Sequence, residues 1–157
     1  MWDGVEDKQQ DLQWFVLGIT NDTVMCIMEG SYDQKIATDI SGAGILLCCM
    51  KSQRMLCVNV YKQSKTDSSW RGELLGLVAI HTILLTLCRF YDITSTSPTT
   101  YCENIAALRQ PGWHYRHVKT RASLANCLRV LWTIKINQLI KATYEHVSGH
   151  QDCHNLW

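Results

Sequence analysis

The stretch Ile45-Leu46-Leu47-Cys48-Cys49-Met50, then Lys51-Ser52-Gln53-Arg54, then Met55-Leu56-Cys57-Val58-Asn59-Val60-Tyr61 decides the fold. Its first part is an unbroken apolar run of strand length. Its last part alternates Leu56, Val58 and Val60 with Cys57, Asn59 and Tyr61, a period of two that marks a half-buried strand. The short polar link between them joins the two strands antiparallel. Upstream, residues 24–28 form another apolar run ending at Glu29-Gly30-Ser31, and Ser41-Gly42-Ala43-Gly44 reads as a flexible turn into the second strand. Three strands with short links make an antiparallel meander.

Downstream the period changes. Residues 66–69 read as a turn offering Ser69 as N-cap, and from Trp70 to about Phe90 apolar residues recur at Leu74, Leu77, Val78, Leu84 and Cys88 on helical spacing. Residues 99–102 form a short strand, residues 105–110 a helical turn stopped by Pro111-Gly112, and residues 122–140 a second long helix with Leu124, Leu128, Leu131 and Trp132 on one face. Residues 143–147 are a last strand. The order β-β-β-α-β-α-α-β predicts an α/β domain, a mixed sheet covered by helices. Residues 1–22 read as an extension or remnant, and 23–157 as the domain.

The 157-residue length suits one domain, and an apolar fraction of 46% excludes a disordered chain. The formal net charge of +1 conceals a split. Residues 1–33 carry seven acids against Lys8 alone, whereas residues 104–144 carry Arg109, Arg116, Lys119, Arg121, Arg129, Lys135 and Lys141 with no acid. Such asymmetry fits nucleic-acid or membrane contact as well as a solvated basic face. The eight cysteines include no CxxC pair, and seven of them lie in apolar runs, where Cys acts as a small buried hydrophobe. A reducing, intracellular location follows, cytoplasmic or nuclear. The N-terminus lacks the apolar core of a secretion signal. The most apolar stretch, residues 74–88, falls short of the roughly 20 residues a membrane span needs, so no membrane partner is expected.

Three carboxylates stand out by position: Glu29 at the end of the first strand, Glu73 in the first turn of the long helix, and Glu103 at the end of the fourth strand. Carboxylates brought together repel unless a cation neutralises them, and a hard, oxygen-preferring ion such as Mg²⁺ or Mn²⁺ suits them. Each taken singly is equally an ordinary surface or helix-end carboxylate.

Four segments carry a resemblance. Met28-Glu29-Gly30-Ser31-Tyr32-Asp33 with Gly42-Ala43-Gly44 resembles the opening of a ribonuclease H type 1 domain. Arg71-Gly72-Glu73-Leu74-Leu75-Gly76-Leu77 is similar to that family's R-x-E-L-x-x-L helix motif. Tyr101-Cys102-Glu103-Asn104-Ile105-Ala106-Ala107-Leu108 is similar to its (C/S)-D-(N/S)-x-x-A-L motif. Glu145-His146-Val147-Ser148-Gly149-His150-Gln151-Asp152 resembles the H-V-x-G-H-Q-D signature of its retroelement, reverse-transcriptase-linked members.

The resemblance implies a ribonuclease H-like fold, with a mixed five-stranded sheet of three antiparallel strands and then parallel ones flanked by helices, and an endonuclease that cuts the RNA strand of RNA–DNA hybrids at a two-ion site. Glu29, Glu73 and Glu103 would be the metal ligands and His150 a catalytic residue on a loop. Gly30, Ser31, Asn104, Arg109, Arg116, Lys119 and Arg121 would contact nucleic acid. The expected assembly is a monomer, part of a larger polyprotein in a parent element.

Three departures point to an impaired copy. Glu stands at 29 and 103 where the family has Asp, and the chain ends seven residues beyond His150, before the family's closing helix and fourth carboxylate. Asp152 belongs to the loop motif and does not fill that role. Two alternatives stay open: a catalytically inactive nucleic-acid-binding module, and an interaction domain stabilised by zinc through His146, His150, Cys153 and His154. His114 and His117 beside Trp113 and Tyr115 read either as a base-stacking platform or as an ordinary aromatic loop.

Overall fold

A computed structural model describes residues 12–31, 39–63, 68–109 and 124–148. The strands are β1 (Val24–Ser31), β2 (Ile40–Cys49), β3 (Arg54–Gln63), β4 (Thr99–Cys102) and β5 (Thr143–His146). The helices are α1 (Gln13–Thr20), α2 (Ser69–Phe90), α3 (Ile105–Arg109) and α4 (Ala125–Ile136). One five-stranded sheet runs in the order β3-β2-β1-β4-β5. β1, β2 and β3 pair antiparallel; β4 pairs parallel with β1 and β5 parallel with β4. This is the mixed sheet the periodicities predict.

The meander forms where the alternation places it. Cys26, Met28, Ala43, Ile45, Leu47, Cys49 and Val58 turn one face of the sheet inward, and α2 covers that face with Leu74, Leu77, Ile80 and Leu84. Several boundaries differ from the expectations. Ser41-Gly42-Ala43-Gly44, expected as a turn, lies inside β2: Ser41 and Ala43 are buried while Gly42 and Gly44 face the other way. The flanking strands satisfy this segment's backbone on both edges, which overrides the glycine signal.

The N-cap of α2 is Ser68, whose Oγ accepts from the Arg71 N–H at 3.3 Å. Helix α4 is shorter than the expected 122–140, ending at Ile136. Asn137 closes it by donating its side-chain amide to the Thr133 carbonyl at 2.7 Å.

The supposed extension is partly built into the domain. Residues 13–20 form α1, which places Trp14, Phe15 and Ile19 in the core, Phe15 with 1% of its surface exposed. Gly18 lies directly against Val24 and Cys49, and Thr96 donates its hydroxyl to the Ile19 carbonyl. Trp14, Phe15 and Ile19 are therefore a core anchor, while Leu17 stays exposed. Residues 1–11 lie outside the described set.

Helix α2 is itself long and apolar enough to cross a bilayer over Trp70–Phe90, beyond the 15-residue stretch counted from sequence. Half of its most apolar window is buried inside the fold, against the sheet and α4. Of the described cysteines, Cys26, Cys49, Cys88, Cys102 and Cys127 are buried; Cys48 is half-buried and Cys57 exposed, so the buried-hydrophobe reading fails for Cys57. It occupies an outward position of the β3 alternation.

A candidate active site where β1, α2 and β4 meet

Parallel pairing aligns Met28 of β1 with Cys102 of β4, so the residues that follow, Glu29 still within β1 and Glu103 just past β4, are neighbours at this end of the sheet. Glu29 is exposed, paired across β2 with Gly44, and Glu103 is half-buried just past the end of β4. Glu73 comes from above, on α2. It is the fifth helical residue and not in the first turn as expected, so the helix N-terminus does not account for its placement.

Backbone proximity seats Glu73. A Cβ on Gly30 would overlap the Glu73 backbone nitrogen and come within 2.8 Å of its side chain. A Cβ on Gly72 would overlap the Gly42 carbonyl and stand 3.1 Å from the Ser31 nitrogen, and one on Gly76 would press on Met28 and Ala43. Gly72 and Gly76 lie four residues apart and so on one helix face. With Gly30 they let the start of α2 rest on the sheet backbone. The seating glycines were missed in the sequence, although two glycines at i, i+4 on an apolar helix were a readable signal of close approach.

The carboxylates interact. Glu73 is 6% exposed, and burial pushes its pKa above the usual carboxylate value. The Cys102 thiol and the Gly30 N–H act in the opposite direction by hydrogen bonding to it, while the charges of Glu103 and Glu29 raise it further. The Cys102 Sγ lies 3.1 Å from Glu73 Oε2. Burial, with the adjacent carboxylate, pushes this thiol up to about 12, so it stays protonated and donates. The sequence reading takes Cys102 only as a core filler, and the structure gives its thiol a carboxylate partner.

The donor set, oxygen-only and mutually repelling, has the chemistry of a hard divalent-cation site. Among the described residues, however, no three His, Cys, Asp or Glu side chains are grouped to hold a metal ion. Glu29, Glu73 and Glu103 share one corner and one electrostatic environment without closing into a three-ligand set.

The other expected site residues divide. Gly30 and Ser31 end β1 at this corner, with Ser31 exposed, but Gly30 is spent on seating Glu73. Asn104 acts as a helix cap: its Oδ1 accepts from the Ala107 N–H at 3.0 Å, which starts α3. Arg109 is exposed at the far end of α3. His150, Arg116, Lys119 and Arg121 lie outside the described residues, as do Trp113, His114, Tyr115, His117, Cys153 and His154. Of the possible zinc ligands only His146 is described, exposed at the end of β5.

No family profile matches the chain, and no curated protein matches it in sequence. Solved structures do. LC11 RNase H1, isolated from compost by a metagenomic approach, superimposes with a TM-score of 0.60 at 13% identity, covering 82% of this chain and 86% of its own. The same enzyme in complex with RNA/DNA hybrid gives 0.56 at 12% identity, with 83% and 88% covered. The RNase H domain of prototype foamy virus gives 0.55 at 10% identity, with 83% and 81% covered. At such identities the likeness is one of architecture. The chain has the ribonuclease H fold.

Proposed function

We propose that this protein is a ribonuclease H-like, metal-dependent endonuclease acting on the RNA strand of RNA–DNA hybrids, slowed by its long carboxylates. The observation that carries the reading is the convergence of Glu29, Glu73 and Glu103 from three separate elements on one corner, where Glu103 and Glu29 raise the pKa of Glu73. Packing has no use for such repulsion, but a cation would reverse it. LC11 RNase H1, of the same fold, is seen with RNA/DNA hybrid, which supports the substrate class.

Mg²⁺ or Mn²⁺ would be held by Glu29, Glu73 and Glu103, and when bound would polarise the scissile phosphate and activate water. The chain itself contributes the rest. Gly30 and Cys102 hold the Glu73 carboxylate at the corner. Ser31 presents an exposed polar group beside it. Arg109 and the downstream basic residues would hold backbone phosphates, and His150 would relay a proton. Hybrid recognition would rest on groove shape and 2′-hydroxyls and so be indifferent to sequence. The foamy virus relative supports an origin in a retroelement polyprotein.

The test is cleavage of labelled hybrid by the full chain in Mg²⁺ and in Mn²⁺, with Glu73→Gln as control. Cleavage lost in Glu73→Gln supports the reading. Intact hybrid in both metals overturns it. Retained, steeply salt-dependent hybrid binding without cleavage would favour the inactive binding module, a reading supported by the open arrangement of the three glutamates.

A further inference from the structure

Cys102 joins all three elements of the corner. It is fully buried, and its carbonyl accepts from the Val147 N–H at 3.1 Å, which ties β4 to the segment leaving β5. Its sulfur accepts from the Asn104 N–H at 3.2 Å. That leaves the thiol proton for Glu73 Oε2 at 3.1 Å; the alternative acceptor, the Asn104 carbonyl, is 3.9 Å away. The Asn104 side chain in turn caps α3, so the backbone turn carrying Glu103 is held from the other side. The result is a directed chain, N–H to sulfur to carboxylate, that runs from the Glu103 turn to Glu73. With the Gly30 N–H it supplies the two donors that fix a carboxylate repelled by two like charges.

We propose that Cys102 is a positioning residue: its thiol, hydrogen-bonded to Oε2, fixes the Glu73 carboxylate at the corner where it would meet a divalent cation. The proposal rests on the reading of Glu73 as a cation ligand. Polar partners of ligating carboxylates are part of a metal site, and their loss typically lowers metal affinity about 10–100-fold. If Cys102 were only a small buried hydrophobe, an apolar replacement would serve and a buried hydroxyl would not. A positioning thiol reverses that order.

The experiment is direct Mn²⁺ binding to the full chain, followed by the electron paramagnetic resonance signal of free Mn²⁺, for wild type, Cys102→Ser, Cys102→Thr, Cys102→Val, Cys102→Ala and Glu73→Gln. The Thr and Val variants have one shape and differ in the hydroxyl, so the comparison survives if the smaller Ala variant fails to fold. Ser and Thr should bind within about 3-fold of wild type, and Val and Ala about 10-fold more weakly. Wild-type binding that Cys102→Val leaves unchanged, or that Thr and Val weaken alike, overturns the role of Cys102 alone. No Mn²⁺ binding by wild type, with Glu73→Gln indistinguishable from it, overturns the ligand reading of Glu73 and this proposal with it.

Discussion

His81 lies on the inner face of α2 with none of its surface exposed. Its Nδ1–H donates to Gln138 Oε1 at 2.9 Å, and its Nε2 accepts from the Tyr144 hydroxyl at 2.8 Å. The Gln138 bond by itself favours the protonated ring, and burial outweighs it, so the ring stays neutral with Nε2 as acceptor. Lys135, whose ammonium stands 5.4 Å from the Tyr144 ring centroid, adds repulsion against a second charge. Burial is the chief cause, and the folded-state pKa falls from the ordinary 6.5 to about 4. As pH drops, the unfolded chain takes up this proton first. The stability supplied by neutral His81 is therefore intact above about pH 6.5 and is lost progressively toward pH 4.

Between about pH 7.5 and 5 the loss assigned to this one group is about 2 kcal/mol, rising to about 3 kcal/mol below pH 4. Urea unfolding followed by tryptophan fluorescence at the two pH values, on wild type and His81→Gln, isolates it. Glutamine does not titrate, so its own destabilisation cancels when each protein is compared with itself. The wild type should lose about 2 kcal/mol more than the variant on acidification. Parallel losses, within about 0.5 kcal/mol, would refute a neutral, hydrogen-bonded His81.

Four further outcomes follow from the packing. Gly30→Ala forces a Cβ to within 2.8 Å of the Glu73 side chain and should cost about 1–3 kcal/mol in urea unfolding. Gly44→Ala, where the nearest atom is Asn59 Oδ1 at 3.8 Å, should leave the midpoint unchanged. Phe15→Ala should cost about 3–5 kcal/mol if α1 belongs to the core, measured the same way; a loss below about 1 kcal/mol would return residues 13–20 to the status of an extension. Thiol labelling of the native protein, read by peptide mass spectrometry, should mark Cys57 while Cys26, Cys88 and Cys102 react only after unfolding.

The meander and α2 were readable because periods of two and of 3.6 are written in the apolar residues themselves, from Ile45 to Tyr61 and from Leu74 to Cys88. What periodicity could not supply was tertiary context. Gly42 and Gly44 signal a turn locally, yet β2 is paired on both edges and absorbs them. The anchor at Trp14 and Phe15 spans barely two helical turns, too short to show a period. The three glutamates were legible as positions, since each adjoins the end of an apolar run. Their seating was not, because it depends on missing side chains: Gly30, Gly72 and Gly76 act through the atoms they lack. Cys102 was hidden for another reason. A buried cysteine packs as a hydrophobe unless its neighbour is a carboxylate, and Glu73 reaches it from 29 residues away in sequence.

That seating decides what the longer side chains at 29 and 103 do. Glu places its oxygens about 1 Å farther from the backbone than Asp, and displacement on that scale can cost on the order of 100-fold in rate. A backbone shift could absorb the difference if the three elements were free to move apart. They are not: β1 and β4 are locked in register from Met25 opposite Thr99 to Met28 opposite Cys102. Helix α2 already rests on β1 at van der Waals distance through Gly30 and Gly72, and withdrawing it would break the hydrogen bonds that Gly30 and Cys102 make to Glu73. The extra methylenes must then be taken up by side-chain rotamers alone. Glu29→Asp with Glu103→Asp should accordingly raise hybrid cleavage in Mg²⁺ without moving the urea midpoint, since neither glutamate is in the core. A fall in cleavage for the double variant, with folding intact, would mean that these two residues are not the carboxylates the site uses.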